Sequence, residues 1–343
     1  MDDRTCTLGV VAKMSNDFYK NKRVFITGHS GFKGTWLCQI LLSAGAEITG
    51  YSLDSNDVRD KDALVKKMQE SKPDIVFHLA AQPLVRRSYL EPALTYETNV
   101  MGTVNVLEAL RLTPSAKSFV NITTDKVYEN KEWHWGYREN ENLCGLDPYS
   151  NSKSCSELVT YSYRHSFFNN KDAPAISTAR SGNVIGGGDY SENRIIPDCI
   201  RAVMAGKDII VRNPSSVRPY QHVLDCLSGY LLLAEKQFTD KDIAGNYNFG
   251  PDEESCVSTG SLADLFCKAW GNNVRWINQG DNGPHEANFL KLDCSKSKAV
   301  LGWKPRWGIG TAVEKTVEFA KIKTDEEKAK CMKRQIEEYF HET

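Results

Sequence analysis

The stretch KRVFITGHSGFKGTWLCQILLSAGAEITGYSL, residues 22–53, decides the fold of this chain. Its hydrophobic pattern predicts a strand, a turn, a helix over 35–44 and a second strand. The turn carries Gly28, Gly31 and Gly34 at three-residue spacing. Glycines at these positions let the backbone approach a pyrophosphate, whose charge then lies at the N-terminus of the helix. The pattern therefore predicts a dinucleotide-binding turn.

The other side chains of this turn are those of His29, Ser30, Phe32 and Lys33. We expect His29 and Phe32 to contact the dinucleotide together with the glycines. Two roles for Lys33 stay open at this point. Its ammonium group could neutralise a phosphate, or it could be a solvated surface charge.

Strands and helices alternate through the first half of the chain. The segment DIVFHLAA, 74–81, predicts a strand, with a helix over 62–71 before it and a long helix over 93–111 after it. SFVNITT, 118–124, predicts the next strand. Such alternation predicts an α/β fold with a doubly wound parallel sheet of the Rossmann type. Because ligands bind at the carboxyl ends of such strands, three further residues are expected beside the cofactor: Leu79, Ala80 and Ala81.

The connection after Asp54 is too short for this fold. Asp57 and Val58 resemble the end of a third strand, yet a crossover between parallel strands needs about a dozen residues or more. One β–α unit is therefore expected to be missing, and the adenine pocket to lose a wall, although Asp57 and Val58 remain candidate cofactor contacts. An acidic residue near the end of the second strand usually binds the adenosine ribose. Here that position holds Ser52, with Asp54 slightly later, so the choice between NAD and NADP stays open.

The composition excludes several classes of protein. The chain has 343 residues, 41% of them hydrophobic and 25% charged, with a net charge of −1. A nucleic acid or an anionic membrane is therefore not expected as the main partner, and no segment approaches the roughly 20 apolar residues of a membrane helix. Residues 1–20 do not resemble a signal peptide. The ten cysteines are scattered without a Cys-x-x-Cys pair, which predicts reduced thiols in a cytoplasmic protein and no metal site.

An acid and a base stand side by side where a strand ends, in the residues Thr124, Asp125 and Lys126. Downstream, Tyr149 and Lys153 are four residues apart on a predicted helix, so their side chains share one face. A nearby ammonium group lowers the pKa of a tyrosine by stabilising the phenolate. Beside a dinucleotide, such a phenolate can take the proton of a sugar hydroxyl as hydride leaves.

The sequence resembles the extended short-chain dehydrogenases/reductases, and among them the CDP-glucose 4,6-dehydratases, over about residues 21–310. The motifs that carry the resemblance are GHSGFKG, HLAAQPLVRRSY, TTDKVYEN, YSNSK, RSGNVIGGGDYSENRIIPD, RPYQHVLD and LKLDCSKSKAVLGW. The related dTDP-glucose and GDP-mannose dehydratases carry Asp-Glu where this chain has Asp125-Lys126. That difference favours the CDP branch.

The resemblance implies an NAD-dependent lyase of deoxysugar biosynthesis, of the kind that serves lipopolysaccharide O-antigen. It would oxidise C4 of CDP-glucose, eliminate water across C5 and C6, and return hydride to C6. By resemblance Thr124 and Tyr149 act at O4 and Lys153 tunes Tyr149, while Asp125 is favoured as the acid and Lys126 as the base of the elimination. The resemblance also implies a homodimer or a dimer of dimers.

The second half of the chain is expected to bind the nucleotide sugar. Arg194 and Arg218 can each fork onto a diphosphate. By resemblance Asn183 and His222 lie near the same phosphates or on the helix beside them, and His285 contacts the ribose or the base.

The expected domain organisation has four parts. They are an N-terminal extension (1–20), a Rossmann domain (21–183, to which the chain returns at about 215–250), a smaller α+β substrate domain (184–214 and 251–320) and a C-terminal helix (321–343). Two other functions stay open. One is a nucleotide-sugar 4-epimerase or ketoreductase, which would need no elimination pair. The other is a nucleotide-binding protein without turnover, impaired by the missing unit.

Overall fold

The computed structural model of the chain describes residues 17–54, 56–280 and 288–341. Its strands are β1 (Arg23–Thr27), β2 (Glu47–Tyr51), β3 (Ile75–His78), β4 (Ser118–Ile122), β5 (Ala175–Ser181), β6 (Val184–Ile185), β7 (Ile209–Val211), β8 (Val217–Pro219), β9 (Gln221–His222), β10 (Asn246–Phe249), β11 (Cys256–Ser258) and β12 (Trp276–Asn278). Its α-helices are α1 (Phe32–Ser43), α2 (Lys61–Ser71), α3 (Val85–Leu90), α4 (Pro92–Tyr96), α5 (Gly102–Arg111), α6 (Pro148–Ser166), α7 (Ile195–Met204), α8 (Val223–Thr239), α9 (Thr259–Trp270), α10 (Ile309–Ala320) and α11 (Asp325–His341).

Six of these strands form one sheet in the order β10-β5-β4-β3-β1-β2. Every neighbouring pair is parallel. All residues of β3, β4 and β5 are buried, as expected for central strands covered by helices on both faces. The predicted doubly wound parallel sheet is therefore confirmed.

The strand β2 forms one edge of this sheet, and the described residues between β2 and α2 contain no further strand. This agrees with the missing β–α unit. Asp57 and Val58 do not end a strand, because they lie in the loop that leads into α2. The Tyr51 hydroxyl donates to the Asp57 carbonyl at 3.1 Å, and the Asn105 amide donates to the Val58 carbonyl at 3.0 Å. These contacts attach the shortened loop to β2 and α5.

Two helices differ from the sequence prediction at their ends or interior. The helix predicted over 35–44 begins at Phe32, because Gly31 takes the extended conformation of an N-cap and the chain turns helical directly after it. The helix predicted over 93–111 is one continuous helical run with a π-helical turn at Glu97–Met101 between α4 and α5.

Four buried hydrophobic clusters hold the described residues together, the smallest of them formed by Val127, Tyr128, Tyr137 and Leu290. One lies on the α1 and α8 face of the sheet and includes residues of α11, and the second lies on the α2, α5 and α6 face. The third is formed mainly by α7, α9 and α10, with the short strand pairs β7–β12 and β8–β11 beside it. No helix within the described residues is long and apolar enough to cross a membrane.

Candidate active site

The glycine turn between β1 and α1 has the close backbone contacts that only glycine permits. Gly28 has a φ of +72°, and a Cβ atom added there would lie 2.7 Å from the Ala80 nitrogen. A Cβ atom on Gly34 would lie 2.2 Å from the Gly28 carbonyl oxygen. The described side chains provide no cap for the first turn of α1, which also lacks acidic residues. Its N–H groups are therefore available to a phosphate, and this turn fits the pyrophosphate of a dinucleotide.

Polar side chains surround the outer side of this turn at the end of β2. The Ser30 hydroxyl lies 3.0 Å from that of Ser52, which lies 3.4 Å from an Asp54 carboxylate oxygen. The His29 ring packs so closely on β2 that a Cβ atom on Gly50 would lie 2.4 Å from it. Ser52 and Asp54 thus offer hydroxyl and carboxylate groups where an adenosine ribose is expected.

The carboxylate of Asp57 is engaged within its own loop. Arg59 Nε donates to its Oδ1 atom at 3.1 Å and to its Oδ2 atom at 2.9 Å, and Arg59 Nη2 donates to Oδ2 at 2.5 Å. These hydrogen bonds lower the pKa of Asp57. Its neighbour Val58 is buried against Gly102, so this loop lies beside the start of α5.

A cavity of about 650 Å³ opens at the carboxyl ends of β4 and β5 and extends toward β7 and β8. It brings together eight residues that the sequence analysis selected: Lys33, Thr124, Asp125, Lys126, Tyr149, Asn183, Arg194 and Arg218. Their positions along the chain span 186 residues, from 33 to 218. The fold therefore brings residues of the glycine turn, of the end of β4 and of the second half of the chain to one cavity.

The acid and the base after β4 lie in a short helical turn, Asp125–Val127. Asp125 is 1% exposed, and its Oδ1 atom accepts from the Thr124 hydroxyl at 3.1 Å. Its Oδ2 atom is buried without a hydrogen-bond partner in the described part of the chain. The Lys126 ammonium lies 3.6 Å from Asp125 Oδ1 and 3.5 Å from Asn183 Oδ1. One carboxylate oxygen is thus left for a substrate group, beside an ammonium group.

Tyr149 lies in the first turn of α6 and Lys153 one turn later, as predicted. The Lys153 ammonium donates to the Ile122 carbonyl at 3.0 Å. Burial lowers the pKa of Lys153 to about 8, and the Lys33 charge acts in the same direction. Burial also raises the pKa of Tyr149 to about 12, against the opposing effects of a hydrogen bond with Thr124 and of the Arg194 charge. The expected net lowering of the tyrosine pKa is therefore not observed, because burial outweighs the nearby positive charges.

Lys33 points away from solvent and toward the floor of the cavity. Its ammonium group donates to the Ser181 hydroxyl at 3.0 Å and to the Tyr230 hydroxyl at 3.2 Å. Burial lowers the pKa of Lys33. The side chain is thus neither a solvated surface charge nor extended along the outside of the glycine turn.

The two arginines lie on the other side of the cavity. Arg194 precedes α7 and donates to the buried carboxylate of Asp189 at 3.1 Å. Arg218 lies on β8, is 5% exposed, and donates to the Val217 carbonyl at 2.9 Å. Their fixed positive charges suit a diphosphate in this part of the cavity.

The profile of the NAD dependent epimerase/dehydratase family matches residues 24–250. The chain belongs to this family. It is also 44% identical to the CDP-glucose 4,6-dehydratase of Salmonella typhimurium, over 96% of this chain and 99% of that protein. A more distant relative is the UDP-glucose 4-epimerase of Pisum sativum, 25% identical over 84% of this chain and 93% of that protein.

Solved structures of the family share the fold. The UDP-glucose 4-epimerase of Thermus thermophilus, in complex with NAD, superposes with a TM-score of 0.78 at 24% identity, over 88% of this chain and 100% of that one. The dTDP-glucose 4,6-dehydratase of Bacillus anthracis, also with NAD, gives a TM-score of 0.72 at 19% identity, over 87% and 96% of the two chains. At these identities the similarity establishes the architecture.

One residue expected to bind the substrate, His222, does not line the cavity. His222 is 0% exposed and packs with Trp36 and Trp307, with ring centroids 5.7 and 4.9 Å away. Its Nδ1 atom accepts from the Leu224 N–H at the start of α8. Burial lowers the pKa of His222 to about 3. Of the two positions expected by resemblance, His222 thus has the one on the helix, as the N-cap of α8, and its enclosed ring leaves no surface for a direct substrate contact. His285 lies outside the described residues.

Sequence reasoning missed the buried groups that surround the site. Asp189, which forms an ion pair with Arg194, lies within the motif RSGNVIGGGDYSENRIIPD but was not predicted to be a site residue. Glu157 was also missed, although its position four residues after Lys153 places it on the same face of α6. It forms a buried ion pair with Arg180 at 2.9 Å. Helical spacing could have found Glu157, whereas its pairing with Arg180 depends on the tertiary fold.

Proposed function

We propose that this chain catalyses the NAD-dependent 4,6-dehydration of CDP-glucose to CDP-4-keto-6-deoxyglucose. The observation that carries the proposal is the pair Asp125 and Lys126, adjacent to Thr124 and facing one cavity with Tyr149. Oxidation of a sugar hydroxyl needs only the tyrosine and its neighbours. An additional acid and base at the same position suit the elimination that distinguishes a dehydratase from an epimerase.

Bound NAD would accept hydride from C4 and return it to C6. The turn of Gly28, Gly31 and Gly34 would hold its pyrophosphate, with Leu79, Ala80 and Ala81 beside it. Asp57 and Val58 would lie near its adenine. Lys153 would reach the nicotinamide ribose from α6.

The chain's own groups would move the protons. Tyr149, assisted by Thr124, takes the proton of the C4 hydroxyl, which leaves a ketone at C4 after hydride departs. The ketone acidifies the C5 proton, and Lys126 in its neutral amine form removes it as a base. Asp125 in its protonated carboxylic acid form donates a proton to the C6 hydroxyl, which leaves as water. Lys126 then returns a proton to C5 when hydride reaches C6.

The diphosphate of the substrate would bind between Arg194 and Arg218, with Asn183 close to Lys126. We further propose that the segments 184–214 and 251–320, which contribute most of the third hydrophobic cluster, form the substrate domain, and that the protein acts in the cytoplasm. The relative of 44% identity, a CDP-glucose 4,6-dehydratase, supports the cytidine nucleotide.

We also propose a homodimer built through α5 and α6. Three apolar side chains at this face are half exposed, namely Met101 (51%), Leu158 (54%) and Tyr161 (54%). Apolar groups of this size on neighbouring helices suit a protein–protein interface. Light scattering coupled to size exclusion measures the mass, and a Leu158→Glu, Tyr161→Glu variant is expected to be monomeric.

The test of the function is turnover of defined nucleotide sugars. The purified chain is incubated with NAD⁺ and CDP-glucose, dTDP-glucose or GDP-mannose, and the 4-keto-6-deoxy product is detected by its near-ultraviolet absorbance in alkali and by mass. Product from CDP-glucose is expected. Product from dTDP-glucose or GDP-mannose instead would refute the cytidine assignment, and an epimerised hexose without loss of water would refute the dehydratase.

A further inference from the structure

The carboxylate of Glu157 is enclosed directly beneath the candidate active site. It lies on α6, on the face that carries Tyr149 and Lys153, and it is 2% exposed. Its Oε1 atom accepts from the Thr123 hydroxyl at 2.5 Å and from Arg180 Nε at 2.9 Å. Its Oε2 atom accepts from the Thr178 hydroxyl at 2.7 Å and from Arg180 Nη2 at 2.9 Å. Both oxygens are therefore fully hydrogen-bonded.

The guanidinium group of Arg180 connects this carboxylate to a second segment. Arg180 is 0% exposed, and its Nη1 atom donates to the Tyr128 hydroxyl at 2.8 Å and to the Glu139 carbonyl at 3.1 Å. The Tyr128 hydroxyl in turn donates to Asn248 Oδ1 at 2.7 Å. A buried ion pair is weak evidence for added stability, because the cost of desolvating two charges offsets their attraction. The pair is therefore better explained by the positions in which it holds the groups hydrogen-bonded to it.

Of the three hydroxyl groups that the pair binds, those of Thr123 and Tyr128 lie on either side of the acid and the base. Thr123 directly precedes the segment Thr124–Lys126, and Tyr128 follows it after one residue. We propose that Glu157 and Arg180 are positioning residues for the elimination, which hold Asp125 and Lys126 in place by anchoring Thr123 and Tyr128. This inference rests on the proposed dehydratase function.

The elimination is expected to depend on this anchoring more than the first oxidation does. Tyr149 is carried by α6, whose N-terminus is capped independently by Asp147. Asp125 and Lys126 are instead carried by the short turn between the two anchors. Misplacement of a catalytic group by about 1 Å can cost on the order of 100-fold in rate, so a looser turn would slow the step that uses these two side chains.

A matched pair of variants tests the proposal without removing either charge. Thr123→Val and Thr178→Val each delete one hydroxyl bonded to the same Glu157 carboxylate, and both positions are buried (5% and 1% exposed). Only Thr123 is connected to the turn. Single-turnover experiments with CDP-glucose and saturating NAD⁺ measure formation of reduced nicotinamide and of keto product separately, and thermal denaturation measures stability.

The expected result is a selective slowing of elimination in Thr123→Val. Reduced nicotinamide should form at close to the wild-type rate and then accumulate, while product forms about 10- to 100-fold more slowly. Thr178→Val should keep the wild-type partition between the two steps, even where both variants lose similar thermal stability. Thr123→Ser restores the hydroxyl and should restore the partition, and Tyr128→Phe should resemble Thr123→Val.

Three results would overturn the inference. Equal partition in Thr123→Val and Thr178→Val would show that the hydroxyl groups serve stability alone, and so would equal slowing of both steps in Thr123→Val. If the wild-type chain makes no keto product from CDP-glucose in the same assay, the proposed function fails, and the elimination role of the pair fails with it.

Discussion

Replacing Lys153 by methionine should abolish activity. It should also make the difference in stability between the variant and wild type depend on pH. Lys153 is 4% exposed, and burial lowers the pKa of its ammonium group from 10.5 to about 8. At about 1.4 kcal/mol per pKa unit, the ionised lysine costs the folded chain about 3 kcal/mol at neutral pH. Methionine has a similar length without the charge, but it leaves the Ile122 carbonyl without its donor, which costs about 1–3 kcal/mol.

The sign of the pH dependence follows from the two protonation states. Because the folded pKa lies below the unfolded one, the unfolded chain binds more protons between about pH 8 and 10.5, and wild-type stability rises with pH there. The Lys153→Met variant lacks this gain. Its stability relative to wild type should therefore fall by about 2–3 kcal/mol between pH 7 and pH 10.

Urea denaturation of the cofactor-free proteins at several pH values measures this difference. Lys66→Met, at an exposed position on α2, is the control for the loss of one lysine. The titrations of all other groups are shared by variant and wild type, so they cancel when the free energies of unfolding are subtracted at each pH. The variant should also fail to reduce NAD⁺ with CDP-glucose. A stability difference between Lys153→Met and wild type that is constant from pH 7 to pH 10 would refute the argument that the lysine is held at an electrostatic cost.

Three further predictions concern the two halves of the reaction, the cofactor and the core. Tyr149→Phe should abolish reduced-nicotinamide formation and dehydration together, whereas Asp125→Asn should allow the oxidation and stall the elimination; equal loss of both steps in the two variants would contradict these roles. NAD⁺ should bind weakly, because loss of one wall of the adenine pocket costs about 2–4 kcal/mol, or about 30- to 1000-fold in affinity; calorimetry giving a sub-micromolar dissociation constant would show that another segment replaces the wall. Burial raises the pKa of Asp225 from 3.8 to about 6, so wild type should lose about 2 kcal/mol relative to Asp225→Asn as the pH rises from 4 to 7; parallel stability curves from urea denaturation would contradict this.

Local patterns were enough to predict the sheet and most of the cavity. The glycine spacing located the turn, and the apolar runs located the central strands, because a strand buried on both faces must be apolar along its whole length. The convergence of Thr124 and Tyr149 also followed, since active sites lie at the carboxyl ends of parallel strands, whereas the position of Asn183 was implied by the family resemblance. The sequence did not predict the directions of long side chains. The side chains of Lys33 and His222 could lie on either side of the elements that carry them, and only tertiary packing determines which side each one takes.

The electrostatics of the site could not be predicted from spacing. A lysine four residues after a tyrosine suggested a lowered tyrosine pKa, but spacing carries no information on how deeply the pair is buried. In the structure burial raises the pKa of Tyr149 and lowers that of Lys153, so both groups are shifted toward their neutral forms. At neutral pH Tyr149 is therefore protonated while Lys153 is still ionised. Ionisation of the tyrosine then depends on charges that join the site, above all those of the bound cofactor.

The missing β–α unit and the proposed chemistry lie at opposite parts of the sheet. The unit is absent beyond β2, at one edge, whereas the acid, the base and the tyrosine are carried by β4 and α6 near the other. Between them, β1 and β3 keep the glycine turn and Ala80 in contact. Because the central strands are intact, the groups proposed for catalysis do not depend on the missing unit for their positions. The shortened loop should therefore change how tightly the adenosine end of the cofactor is held, while the geometry of C4 oxidation and of the elimination is retained.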